Sequence, residues 1–323
     1  MKKFLLKLSL FYIILYLLTF LIITTSPEVK NPSNYLSAII DKHNIAKNIK
    51  TPKVIFSGGS NTAFGIDSEM LSNNFKIPII NLGLHGGLGL AFILEETKSI
   101  LKQGDIVILS IEYFLEREGE YDLKEKTSNF YPPANKFYSH NYFIDFKNYL
   151  KKTEKSFKRL INKEENNTNK NSDSILKIYR RDGFNNYGDL ISHLNKPKLK
   201  NLKSQMVFEY KYWEGIELIN KFSSYARSKD VKVYFTYPAY AESEYKKNLL
   251  AISKLEKDIR NNLNIEILNT PKDFTFPDNN FFDSVFHLNK EGRRKRTNKF
   301  ISLIRNNKDL SLYLDSIKKN HAK

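Results

Sequence analysis

The chain has no cysteine. That excludes disulfides, thiolate metal sites, a cysteine nucleophile and a lipid-carrying N-terminal cysteine, and leaves the compartment open. Histidine is scarce, six in 323 residues, and neither an H-E-x-x-H pair nor an Asp-rich loop occurs, so neither a metal nor a cofactor is expected. RNP, zinc-finger and helix-turn-helix signatures are missing. Acidic residues are also in short supply: 35 Asp+Glu face 52 Lys+Arg, a formal net charge of +17. The basic residues are spread rather than striped, so the excess predicts an acidic polymer or membrane surface as partner, not nucleic acid. No internal repeat is present.

The one long apolar run is N-terminal. After Met1-Lys2-Lys3, the stretch 4-FLLKLSLFYIILYLLTFLIITT-25 lacks a polar face and suffices to cross a bilayer as a helix. It is longer than a signal-peptide core and lacks an Ala-x-Ala-like end, so a retained anchor is expected over residues 1–25. Lys2, Lys3 and Lys7 predict that this end stays inside and the remainder lies outside the cytoplasm. Residues 26–50, opened by Ser26-Pro27 and Asn31-Pro32, read as a linker with a short helix.

From residue 51 onward β-rich runs alternate with helical ones. The strands expected are 53–57, 78–83, 105–113, 231–238 and 264–269. The helices expected between them are 68–75, 89–103, 214–229 and 242–262, with a last one starting near Asn289. Such alternation predicts an α/β fold: a flavodoxin-like, three-layer α/β/α domain over 51–323 with a five-stranded parallel sheet. An insertion at about 114–210, flexible around 163–174, interrupts it after the third strand. There it is either a lid over the ligand crevice or a surface decoration.

Three turns follow strands on the same sheet edge. In 58-GGSNTAFGID-67, Ser60 can present a hydroxyl and an N–H to the crevice, or it and Asn61 can simply cap a helix. In 81-NLGLHGGLG-89, glycines permit close backbone approach and leave N–H groups for an oxyanion. No P-loop lysine or complete G-x-G-x-x-G accompanies them, and His85 there reads more readily as structural than as a ligand. In 281-FFDSVFHLNKEG-292, a non-helical turn lets the Asp283 carboxylate accept from one imidazole nitrogen of His287 while the other faces the crevice. Phe281, Phe282 and Phe286 read as packing and Asn289 as a helix cap.

In this order, Gly-x-Ser, then Asn-x-Gly-x-x-Gly, then Asp…His near the end, the motifs resemble the SGNH/GDSL hydrolase superfamily over residues 53 to 305. The resemblance implies Ser60 as nucleophile, Gly86 as an oxyanion-hole N–H, and Asp283 and His287 as the acid–base pair. With the anchor and the insertion, it points to extracytoplasmic proteins tied to O-acylation of surface polysaccharides and teichoic acids. The expected function is therefore an esterase or O-acyltransferase on O-acyl groups, acetyl first among them. Its partners would be an acyl donor, a surface glycan and the membrane. The alternative is an inactive glycan-binding or scaffold protein that partners an integral-membrane acyltransferase. Three departures accompany the resemblance. Gly59 replaces the motif's aspartate, Glu112 stands where the family has an asparagine donor, and the Asp283–His287 spacing is one residue longer. Glu112 is then either turned away to bind something else, or Asn61 and backbone amides supply the oxyanion donors.

Overall fold

Runs of Ile, Val and Leu without alternation make strands that are buried on both faces, which suits a sheet covered by helices on each side. A computed structural model describes residues 1–24, 31–49, 52–162, 178–198, 202 and 207–321. The strands are β1 (Val54–Gly58), β2 (Ile79–Asn81), β3 (Ile106–Ser110), β4 (Lys232–Thr236), β5 (Tyr240–Ala241), β6 (Glu266–Ile267) and β7 (Thr275–Phe276). Five of them pair in parallel in the order β2-β1-β3-β4-β6, the flavodoxin-like order, and β5 pairs with β7 alongside. β2 stops at three residues instead of the expected six. The Asn81 side chain accepts from Gly83 N–H at 2.9 Å and turns the chain out of the ladder.

The helices are α1 (Lys2–Thr24), α2 (Ala38–Asn48), α3 (Ser60–Gly65), α4 (Ser68–Phe75), α5 (Leu90–Lys98), α6 (Tyr121–Phe130) and α7 (Tyr142–Asn162). They continue with α8 (Gly215–Ser228), α9 (Glu242–Lys247), α10 (Leu249–Asn262), α11 (Lys290–Asn306) and α12 (Lys308–His321). Alternate residues of β1 define the layers. Phe56 meets Phe300 of α11 on one face, with ring centroids 5.5 Å apart. Ser57 bonds Thr97 of α5 on the other at 2.7 Å. The single helix expected over 242–262 is broken at Asn248, whose side-chain amide donates to Glu244 O at 3.0 Å.

Two segments expected to be peripheral are packed into the domain. α2, in the expected linker, covers the β2 edge: Lys42 is buried there and its Nζ donates to Asn81 O at 2.9 Å and to Gly188 O. The insertion contributes α6 and α7, and its return over 178–198 is held by Asp189. That carboxylate, fully buried, accepts from Ser68 N–H, Ser68 Oγ, Asn81 Nδ2 and Arg293 Nη2 at 2.6–2.9 Å. The stretch expected to be flexible, 163–174, lies outside the described residues. α1 is apolar on all sides, exposed from Lys2 to Leu21 except at Thr19, and long enough to serve as a membrane anchor or a signal sequence.

Candidate active site

The strand order reverses between β1 and β3, and the ligand crevice of such a sheet opens outside the carboxyl ends of the strands at that point. Ser60 follows the end of β1 and Glu112 the end of β3. The two strand ends are so close that a Cβ on Gly58 would lie 2.0 Å from Ser110 O, which is why β1 ends in glycine.

The turn after β7 closes through Phe282 N–H donating to His287 O at 2.8 Å and a bridge between Phe281 and Leu288. It is not helical, so the carboxylate of Asp283 folds back onto the ring of His287. The longer spacing is absorbed in this turn. Asn289 then caps α11, its side chain accepting from Gly292 N–H at 3.0 Å. His287 Nδ1 lies 2.8 Å from Asp283 Oδ1, and its Nε2 lies 2.8 Å from Ser60 Oγ. Burial pushes the Asp283 carboxyl up, but hydrogen bonding and charge from His287, and a bond from Tyr179, outweigh it and hold it below the usual value. An ionised Asp283 only accepts, so Nδ1 carries the proton, Nε2 accepts, and the Ser60 hydroxyl donates.

Two neighbours fix the imidazole. Phe64 of α3 stacks on it at 3.9 Å between centroids and 7° between planes. Tyr179, from the return of the insertion, donates to Asp283 Oδ2 at 2.5 Å. Burial and the charge of Asp283 push the Tyr179 hydroxyl up, which keeps it a donor. Tyr179 in turn packs edge-on against Tyr35, whose hydroxyl donates to Leu84 O at 2.6 Å.

Glu112 is not turned away. Its carboxylate accepts from Asn61 N–H at 3.1 Å and Gly59 N–H at 3.2 Å, bracketing Ser60. A Cβ on Gly59 would sit 2.3 Å from Glu112 Oε1, so any side chain there is excluded while the carboxylate keeps this place. The glycine at 59 and the glutamate at 112 are thus one coupled feature. Asn61 does not offer its side chain to the crevice. The amide donates to Ser110 O at 3.1 Å and accepts from Ser110 Oγ and Arg296 Nη2, a core role that leaves only its N–H facing Glu112. Arg296 is fully buried behind the turn. Burial lowers its guanidinium to about 9, while the nearby Glu112 charge works the other way.

Gly86 and His85 also line the cleft, and a Cβ on Gly86 would make only ordinary contacts, 3.5 Å to Leu115 and 3.7 Å to Glu112. His85 Nδ1 accepts from Gly87 N–H at 2.9 Å, so Nε2 carries the proton; burial lowers this imidazole and keeps it neutral. Around Ser60 and His287 lies an open cleft of about 380 Å³, walled by Tyr113, Phe114, Leu115, Phe208 and Phe286. Among the described residues no group of three or more His, Asp or Glu side chains is placed to hold a metal ion.

The structure therefore brings Ser60, His287, Asp283, Glu112 and Gly86 together and directs the Asn61 side chain elsewhere. Tyr179, Phe64 and Arg296 escaped sequence reasoning. Only the Tyr-rich insertion leaving β3 beside the crevice hinted at the first. Compared with protein-family models, curated proteins and solved structures, the chain matches none.

Proposed function

We propose that the protein is a membrane-anchored, extracytoplasmic serine esterase or O-acyltransferase of SGNH type, acting on O-acyl groups, acetyl first among them, of a cell-surface glycan. The observation that carries this reading is the continuous Ser60–His287–Asp283 chain, 2.8 Å at each link, opening on a cleft.

In this reading Ser60 Oγ attacks the ester carbonyl as its proton passes to His287 Nε2, and the imidazolium that forms is stabilised by Asp283. Ser60 N–H and Gly86 N–H receive the oxyanion. The ester C–O bond then breaks, His287 protonates the departing alcohol, and the acyl group stays on Ser60. Water or a sugar hydroxyl attacks next, giving its proton to His287, which returns it to Ser60 Oγ. Water completes an esterase cycle and a sugar hydroxyl an acyltransferase cycle. A basic chain of net charge +17 suits an acidic glycan or headgroup layer.

A second reading, an inactive glycan-binding or scaffold protein beside a membrane acyltransferase, is favoured by Glu112. A carboxylate beside Ser60 opposes an oxyanion and occupies two N–H donors. Hydrolysis of p-nitrophenyl acetate separates the two. The proposal expects Ser60→Ala to lose about 10³-fold or more of the rate with the melting curve unchanged. Equal rates in both folded proteins would overturn the catalytic reading and leave the second.

A further inference from the structure

α7 uses only part of its circumference inside the protein. One side meets α6: Asn148 Nδ2 donates to Asp122 at 2.9 Å and Glu125 at 3.1 Å, and Lys152 Nζ donates to Glu125 at 2.6 Å. A quarter-turn round, Tyr149 meets α1, its ring stacked on Tyr16 at 5.7 Å and its hydroxyl bonded to Thr19. Next come Tyr142, Phe143, Phe146 and Leu150, at helical spacing and 51–86% exposed. Beyond them lie the exposed Lys147, Lys151 and Lys158.

We infer that this face of α7 lies in the headgroup–acyl boundary of an anionic bilayer, beside α1. Three observations on different links agree. The helix has the composition of an interfacial one: Tyr and Phe on the apolar stripe, lysines along its border whose stems can run over the acyl surface, and six Lys+Arg against two Asp+Glu in its length. Its apolar stripe adjoins the contact with α1, so whatever medium surrounds α1 at Tyr16 and Thr19 also meets the stripe. The depth fits as well. Thr19 and Tyr16 lie five and eight residues before the end of α1 at Thr24, about 8–12 Å along the axis. An interfacial helix buries its apolar face by roughly 5–10 Å. Left in water, the same four side chains would be a contiguous exposed apolar patch, the kind of surface that marks a contact with a membrane or another molecule. The consequence is orientational: two independent contacts with the bilayer fix how the domain sits on it, where α1 alone would leave it free to swing.

A chain without cysteine makes the test direct. Phe143→Cys, Phe146→Cys, Leu150→Cys and, as the outward reference, Lys158→Cys are each labelled with an environment-sensitive fluorophore in the full-length protein. Each is reconstituted in vesicles of phosphatidylcholine and phosphatidylglycerol in equal parts, with and without nitroxide-bearing lipid. The first three are expected to emit as in an apolar medium and to be quenched severalfold by the nitroxide, while position 158 shows neither. Water-like emission at 143, 146 and 150 overturns the inference. So does apolar emission that lipid nitroxide does not quench, which would mean that protein, such as a second copy, covers the face.

Discussion

Tyr179 holds one oxygen of the Asp283 carboxylate while His287 holds the other, so the orientation of the acid depends on a residue 104 positions away. A hydrogen bond to a charged group contributes about 1.5–3 kcal/mol. Tyr179→Phe, which keeps the ring against Tyr35 and Phe64, is therefore expected to lower stability by about 1.5–3 kcal/mol and, by loosening the hold on the acid, kcat/KM about tenfold. An unchanged kcat/KM would mean that Tyr179 only packs. Glu112 makes the opposite prediction. Two unit charges about 4 Å apart repel by about 4 kcal/mol near a protein surface. In the proposed mechanism Glu112→Gln removes that repulsion and should raise kcat for a neutral ester by up to about 10³-fold; a fall would assign the carboxylate a part in the chemistry or in holding the turn. Ser60, Asp283 and His287 were legible because each follows a strand with a turn residue beside it. Tyr179 and Phe64 were not, because contacts across 104 and 223 positions leave no spacing in the chain.

Among the elements, every strand of the main sheet was announced by its β-rich run; β1, β2 and β3 are buried on both faces and need no alternation to be read, while β4 and the edge strand β6 are only partly covered. Their ends were read less well: β2 is cut short by the Asn81 turn, and the helix over 242–262 is broken at Asn248. What composition concealed was the docking of polar segments. The return of the insertion is anchored by one buried carboxylate, and removing it leaves the buried Arg293 with only Ile66 O at 2.7 Å and Asp67 at 3.7 Å. Asp189→Ala is expected to lower stability by about 3 kcal/mol in urea unfolding; a change near zero would show that the return does not depend on this pair. α2 carries its own signature. Burial lowers the Lys42 amine from 10.5 to about 7, so between those values the folded state holds it neutral while the unfolded state binds a proton. Stability from this group therefore rises as pH climbs from 7 toward 10 and falls as pH returns. Lys42→Met should flatten that rise in unfolding curves taken across the window, and an identical slope would contradict the burial of the amine.

At the scale of the whole molecule, one apolar helix precedes an α/β/α domain whose candidate site opens at the reversal of strand order. That α1 anchors the domain to a membrane, and on its extracytoplasmic side, is proposed. An alkaline phosphatase reporter fused after residue 50 is expected to be active, and activity only of a cytoplasmic reporter would reverse the topology. The central claim is that Ser60 is a nucleophile activated by His287. It is tested most directly by treating the folded protein with a fluorophosphonate and measuring the intact mass and the modified peptide. The account predicts a single adduct on Ser60, absent in Ser60→Ala and formed far more slowly in His287→Ala. A folded wild type that gains no adduct, or one that carries it on another residue, would contradict it.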